Sequence, residues 1–114
     1  MEAKSAVPCL SALAHDGRLA VFRLLVQRGP GGLAAGEIAR TLGSPPSSLS
    51  ANLNILSHAG LIASRREGRS IIYTANYDVM SELLAFLVED CCGGTPEICG
   101  PLAAIAGQRC APAR

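Results

Sequence analysis

Residues 35–75 read AGEIARTLGSPPSSLSANLNILSHAGLIASRREGRSIIYTA, and this stretch decides the fold. Ala35 to Leu42 has the period of a short helix with Ile38, Ala39 and Leu42 facing inward. Gly43 stops it. Ser44 is placed to cap the next helix, while a proline of the Pro45-Pro46 pair takes its first turn, where a missing N–H is harmless. That helix runs to about Ala59, with Leu49, Leu53 and Leu56 as its buried stripe, and Gly60 closes it. The period then changes. Leu61 to Arg66 and Ser70 to Ala75 are β-prone runs around Glu67-Gly68-Arg69, which predicts a hairpin. Helix, tight turn, helix and basic hairpin together are the plan of a winged helix-turn-helix. In that plan the second helix enters a major groove and the hairpin touches the neighbouring backbone.

On the N-terminal side, a first helix is expected over about Ser5 to Ala14, with Val7, Leu10, Leu13 and Ala14 on its inner side. Pro8 fits only if it lies within a first turn. Asp16 is a good N-cap for a second helix reaching about Gln27, whose stripe is Leu19, Phe22, Leu25 and Val26. Arg28-Gly29-Pro30-Gly31-Gly32 ends it. On the C-terminal side, a last helix begins near Tyr77 or Asp78 and ends at Cys92-Gly93-Gly94. Met80, Leu83, Leu84, Leu87 and Cys91 form its stripe, widened by Val79, Phe86 and Val88. From Gly93 the chain is rich in Gly, Pro and Ala. The expected division is a DNA-binding and dimerisation unit over 1–92 and a flexible segment over 93–114.

The composition agrees with this class. A chain of 114 residues is one domain, and at this length pairing with a second copy adds buried surface that a lone core lacks. Apolar residues make up 49% and charged residues 17%, which argues against disorder and for an apolar subunit face. No apolar run approaches the length of a membrane span, and no signal peptide is recognised at the N-terminus, so a cytoplasmic protein is expected. The net charge of +1 hides a strong asymmetry. Residues 1–61 carry +2, residues 62–75 another +2, residues 76–99 carry −5, and the last fifteen +2. A polyanion would meet the middle of the chain and avoid the segment after it.

The polar side of the second helix of the motif offers Ser47, Ser48, Ser50, Asn52, Asn54, Ser57 and His58, short groups able to reach base edges and phosphates. Arg65, Arg66 and Arg69 on the hairpin suit phosphate or minor-groove contact. Alone, a Ser- and Asn-rich face is a solvated face and three arginines on a turn are unremarkable. Their order along the chain is what points to double-stranded DNA. The recognition helix carries no Arg or Lys, so affinity has to come from the wing, the helix N-terminus and dimerisation.

Five cysteines without an export signal point to thiol chemistry or metal binding in a reducing compartment. Cys91 and Cys92 are adjacent, about 100° apart on a rigid helix, and need local unwinding to converge. Gly93-Gly94 supplies that freedom, and Cys99 follows across a short loop. Three thiolates from one segment suit a soft ion of low coordination number better than tetrahedral zinc. Simple packing of Cys91 competes with this, as do another soft metal and a redox or persulfide switch. Glu89, Asp90 and the helix C-terminus disfavour a free thiolate, which weakens the redox alternative. Cys9 and Cys110 are read as incidental, with Cys9 held as a possible fourth thiol against the other subunit.

Leu13-Ala14-His15-Asp16-Gly17-Arg18-Leu19, Gly36 to Gly43, Ser50 to Leu56, Ala59-Gly60-Leu61-Ile62 and Arg65-Arg66-Glu67-Gly68-Arg69 resemble the ArsR/SmtB family of metal- and metalloid-sensing repressors. The resemblance covers about residues 10–92. It implies a homodimer paired through its first and last helices, bound to operator DNA when empty and released by its inducer. Pro46, Ala51 and Asn54 depart from longer polar or basic groups common in the family. Within the family, the helix-end Cys-Cys pair followed by a third cysteine resembles arsenic-responsive repressors, in which three sulfurs bind As(III) or Sb(III) in a pyramid. This implies Cys91, Cys92 and Cys99 as ligands. The family's other arsenic site and its zinc site are absent, since Ala34-Ala35-Gly36-Glu37 and Met80 with Leu84 stand in their places.

The sequence thus predicts a mainly α winged helix-turn-helix, homodimeric, acting as an arsenite-responsive repressor with no obligatory cofactor. The alternatives are a thiol-redox or persulfide repressor of the same fold, and a thiol metallochaperone whose winged helix binds protein. An enzyme is not expected: no His-supported nucleophile, phosphate loop or paired carboxylates are present.

Overall fold

The computed structural model describes residues 1–88. The elements run α1 (Ala3–Leu13), α2 (Asp16–Arg28), β1 (Leu33–Ala34), α3 (Ala35–Leu42), α4 (Pro46–His58), β2 (Ile62–Glu67), β3 (Ser70–Ala75) and α5 (Tyr77–Val88). The three strands form one antiparallel sheet in the order β1-β3-β2. The fold is the winged helix-turn-helix, mainly helical with a hairpin wing.

The central motif follows its local chemistry. Gly43 ends α3 with a φ of +66°, a left-handed conformation that glycine adopts without strain. Ser44 does not cap α4. Pro45 occupies the cap position with extended backbone and no side-chain cap bond, and Pro46 is the first helical residue. The paired prolines set the start, because Pro46 forces an extended conformation on the residue before it. Val21 and Leu25 of α2, Ile38 of α3, Leu56 of α4 and Leu61 are completely buried, and this is the centre of the core.

The first helix differs from its expected face. Its inward residues are Ala6, Cys9 and Ala12, whereas Val7 is 61% exposed and Leu10 also faces out. Small side chains at three-residue spacing let α1 lie close on α2 and α4, and the larger ones are left on the far side. Pro8 falls inside this helix rather than in its first turn. Its missing N–H leaves the Lys4 carbonyl without a helical partner, which exposed Lys4 can take from water.

His15, not Asp16, caps α2: its Nδ1 accepts the Gly17 N–H at 3.1 Å. Leu19 is exposed instead of buried, and the inner face of α2 is Val21, Phe22 and Leu25. Asn76 caps α5 by accepting the Val79 N–H at 3.2 Å, and the Tyr77 hydroxyl donates to the Val26 carbonyl at 3.0 Å, tying α5 to the end of α2. Among the described residues of the expected α5 stripe only Leu83 is buried; Leu84 is 54% and Leu87 50% exposed. None of the described helices is long and apolar enough to cross a membrane. The expected boundary at 92/93 lies outside the described residues.

Candidate nucleic-acid interface

At 100° per residue, buried Leu49, Leu53 and Leu56 point α4 into the core and turn Ser47, Ala51, Asn54 and His58 directly outward. Ser48 and Ser50 flank this line and are exposed as well. His58 lies 2.8 Å through Nδ1 from the Asn54 carbonyl of its own helix. Asn52 departs from its expected place. It is half-buried, and its amide nitrogen lies so near Gly17 that a Cβ there would approach it to 2.8 Å. Asn52 therefore packs against the start of α2 and lies off the outward line.

The wing pairs Ile62 with Ala75 through to Glu67 with Ser70, leaving Gly68 and Arg69 as a two-residue turn. Gly68 takes a φ of +63°, as such turns require. Every residue from Ala63 to Ile71 is exposed. Arg66 and Arg69 lie in this exposed stretch. Arg65, expected beside them as a contact, is engaged elsewhere. Its Nε donates to Glu67 at 2.6 Å, and its two terminal nitrogens donate to the Pro30 and Gly31 carbonyls at 3.1 and 2.9 Å.

Two features escaped the sequence reading. Arg40 stands exposed in the last turn of α3, the one cation within the helix-turn-helix pair. Its position just before Gly43 was the available signal. The second is β1, whose Leu33 and Ala34 pair with Tyr73 and Ile72 and join the wing to the end of α2. A two-residue strand leaves no periodicity to detect.

A helix-turn-helix domain family model matches residues 13–65. An uncharacterized HTH-type transcriptional regulator of Mycobacterium tuberculosis is 38% identical over 74 residues, 64% of this chain and 62% of that protein. The chain thus spans about six-tenths of that relative's length. The HTH-type transcriptional regulator YgaV of Escherichia coli is 32% identical over 85 residues, 75% of this chain and 84% of that protein. Among solved structures, the homodimeric winged helix-turn-helix DNA-binding domain of a possible ArsR-family regulator from Mycobacterium bovis superposes with a TM-score of 0.62 at 32% identity, over 75% of this chain and 77% of that one. The chain belongs to the ArsR/SmtB family of transcriptional regulators.

As an ArsR/SmtB chain, it keeps large apolar side chains exposed on the two helices through which pairing is expected: Val7 and Leu10 on α1, and Leu84, Leu87 and Val88 on α5. Cys9 is not among them. It is buried in the core, its thiol donating to the Ala59 carbonyl at 3.4 Å, and burial pushes its pKa up. An inward, protonated thiol is not the fourth ligand that could have reached another subunit. No group of three His, Cys, Asp or Glu side chains gathers among the described residues. Cys91, Cys92 and Cys99, the residues expected to hold a metalloid, lie outside the described residues, as does Cys110.

Proposed function

We propose that this ArsR/SmtB chain is a homodimeric repressor that binds operator DNA when empty and releases it when As(III) or Sb(III) binds Cys91, Cys92 and Cys99. The observation that carries the DNA half is the outward line of Ser47, Ala51, Asn54 and His58 on α4, flanked by Ser48 and Ser50, together with a wing exposing Arg66 and Arg69. Hydroxyl and amide groups read base edges, and arginines supply the salt-dependent attraction to phosphates. Exposed apolar residues on α1 and α5 supply a face for pairing, and the similar M. bovis protein is a homodimer.

The inducer half rests on the donor set. Three sulfurs in one short segment match a soft, three-coordinate ion, and such an ion displaces the thiol protons itself. In sequence Cys91 and Cys92 come three and four residues after Val88, the last described residue of α5, so gathering the sulfurs would reshape the end of a dimerisation helix. That shift would alter the spacing of two recognition helices, which has to match half-sites about 34 Å or a multiple apart. A coupling of about 1–3 kcal/mol weakens DNA binding by about 5–150-fold.

The test is a salt-dependent binding assay on promoter DNA, paired with native mass spectrometry of the reduced protein titrated with arsenite. The expected result is one arsenic per chain with release of DNA. Cys92→Ser is expected to bind DNA as tightly as the wild type and ignore arsenite. Release of DNA by Cys92→Ser at the wild-type dose would remove this site, and a wild type that takes up no arsenic would favour a thiol-redox repressor instead. Absence of salt-dependent binding to promoter DNA would favour a protein-binding winged helix.

A further inference from the structure

The wing has little to hold it in place. Beyond Tyr73 and Ile72 it has no β1 partner, and from Ala63 to Ile71 it buries no side chain. A bare two-stranded hairpin is marginally stable in water. One group bridges this gap. Arg65 and Glu67 share a face of β2, because side chains two apart point the same way, whereas Arg66 points to the opposite face. From that shared face the Arg65 guanidinium pairs with Glu67 and reaches the carbonyls of Pro30 and Gly31, some 35 residues away in sequence.

The receiving loop is itself fixed. Gly32 packs so tightly on β3 that a Cβ there would lie 2.5 Å from the Tyr73 carbonyl oxygen, and Arg28 Nε donates to the Gly32 carbonyl at 3.2 Å. The loop therefore offers two carbonyls in a set position at the end of α2. A planar guanidinium can donate to both while keeping its Nε–H for Glu67, an arrangement that a lysine ammonium does not reproduce.

We propose that Arg65 is a positioning residue of the wing: it fixes the hairpin, through Glu67 and the Pro30-Gly31 carbonyls, at the angle from which Arg66 and Arg69 meet the DNA backbone, and does not itself contact DNA. This inference rests on the DNA-binding reading above. Glu67 becomes intelligible in the same way. A carboxylate at the tip of a DNA-facing hairpin repels a polyanion, yet here it organises the arginine next to it.

The sign of one substitution tests this. Electrostatics alone predicts tighter DNA binding by Glu67→Ala, which removes a negative charge; the clamp predicts weaker binding. With the full-length protein and a labelled duplex from upstream of its own gene, Glu67→Ala and Arg65→Ala are each expected to weaken binding roughly fivefold, the scale of one net hydrogen bond. In an Arg66→Ala/Arg69→Ala background both effects are expected to vanish, since there is nothing left to position. Tighter or unchanged binding by Glu67→Ala would overturn the proposal. So would an Arg65→Ala loss that persists in full in that background, the mark of a direct contact or a general fold defect. Amide hydrogen exchange gives a reading independent of DNA. Arg65→Ala is expected to speed exchange at residues 66–71 while leaving α2 and α4 unchanged, and unchanged wing exchange would overturn the clamp. Faster wing exchange in a protein whose wild type shows no salt-dependent DNA binding would leave the clamp standing and overturn the DNA reading.

Discussion

The recognition helix α4 and the wing face the same proposed ligand, yet they are held by opposite means. α4 is set by three buried leucines, and its outward side chains are short and lack any Arg or Lys. The wing buries almost nothing and is set by strand pairing, a glycine contact and one arginine clamp. Packing fixes a helix to within a rotamer and leaves its outer face free to vary. Hydrogen bonds at an exposed hairpin fix direction, and they leave charged tips available for phosphates. Shape is thus delegated to the helix and charge to the wing.

The largest effect expected to sharpen this contrast is at Leu56. It is completely buried at the centre of the core, so Leu56→Ala is expected to lower stability by about 2–5 kcal/mol in urea denaturation. Ile71→Ala on the exposed wing is expected to stay within about 0.5 kcal/mol. Equal losses at the two sites would break the comparison, since the wing would then be part of the packed core.

A smaller effect is expected at the glycine that seats the wing. Gly32 has a φ of +70°, and a Cβ there would meet the Tyr73 carbonyl oxygen at 2.5 Å and the Ile72 and Thr74 methyl groups at under 3 Å. Gly68 has nearly the same φ, at +63°, with nothing within 4 Å. Both alanine variants bear a left-handed penalty of about 1–2 kcal/mol, and Gly32→Ala adds a collision with backbone that cannot move aside. Thermal unfolding is therefore expected to rank Gly32→Ala well below Gly68→Ala. The reverse order would mean that the loop does not seat the hairpin.

These positions show where the sequence was legible. The α3–turn–α4 unit was, because Gly43, Pro46 and a leucine stripe are local signals that agree with one another. The hairpin was, because its period and its Gly-Arg turn agree as well. The face of α1 was not. The apolar pattern marked the larger side chains as core, whereas Ala6, Cys9 and Ala12 are inside because close helix approach favours small residues. Among site residues, Ser47, Ser48, Ser50, Asn54, Arg66 and Arg69 are exposed as a helical wheel and a hairpin register predict. Asn52 and Arg65 were beyond such reasoning, since their placement depends on Gly17 and on Pro30 and Gly31, 34 or 35 residues away. Long-range partners leave no trace in a local pattern.

The smallest effect separates the two regions by pH. Cys9 underlies the end of α4 through its bond to the Ala59 carbonyl, and burial raises its thiol pKa above the ordinary value. The folded chain then holds this proton more tightly than the unfolded chain does. Its contribution to stability is complete below the ordinary thiol pKa of about 8.5 and is lost as pH rises from there through the raised folded value. The stability difference between wild type and Cys9→Ala, measured by denaturation from pH 7 to 10, is expected to shrink across that window. The other four cysteines are common to both proteins and cancel in the difference. Alkaline pH is thus expected to loosen the seat of α4, while added salt weakens the exposed ion pair of the wing and leaves the seat of α4 unchanged. A pH-independent difference would show that Cys9 acts at the end of α4 through its volume and not through its proton.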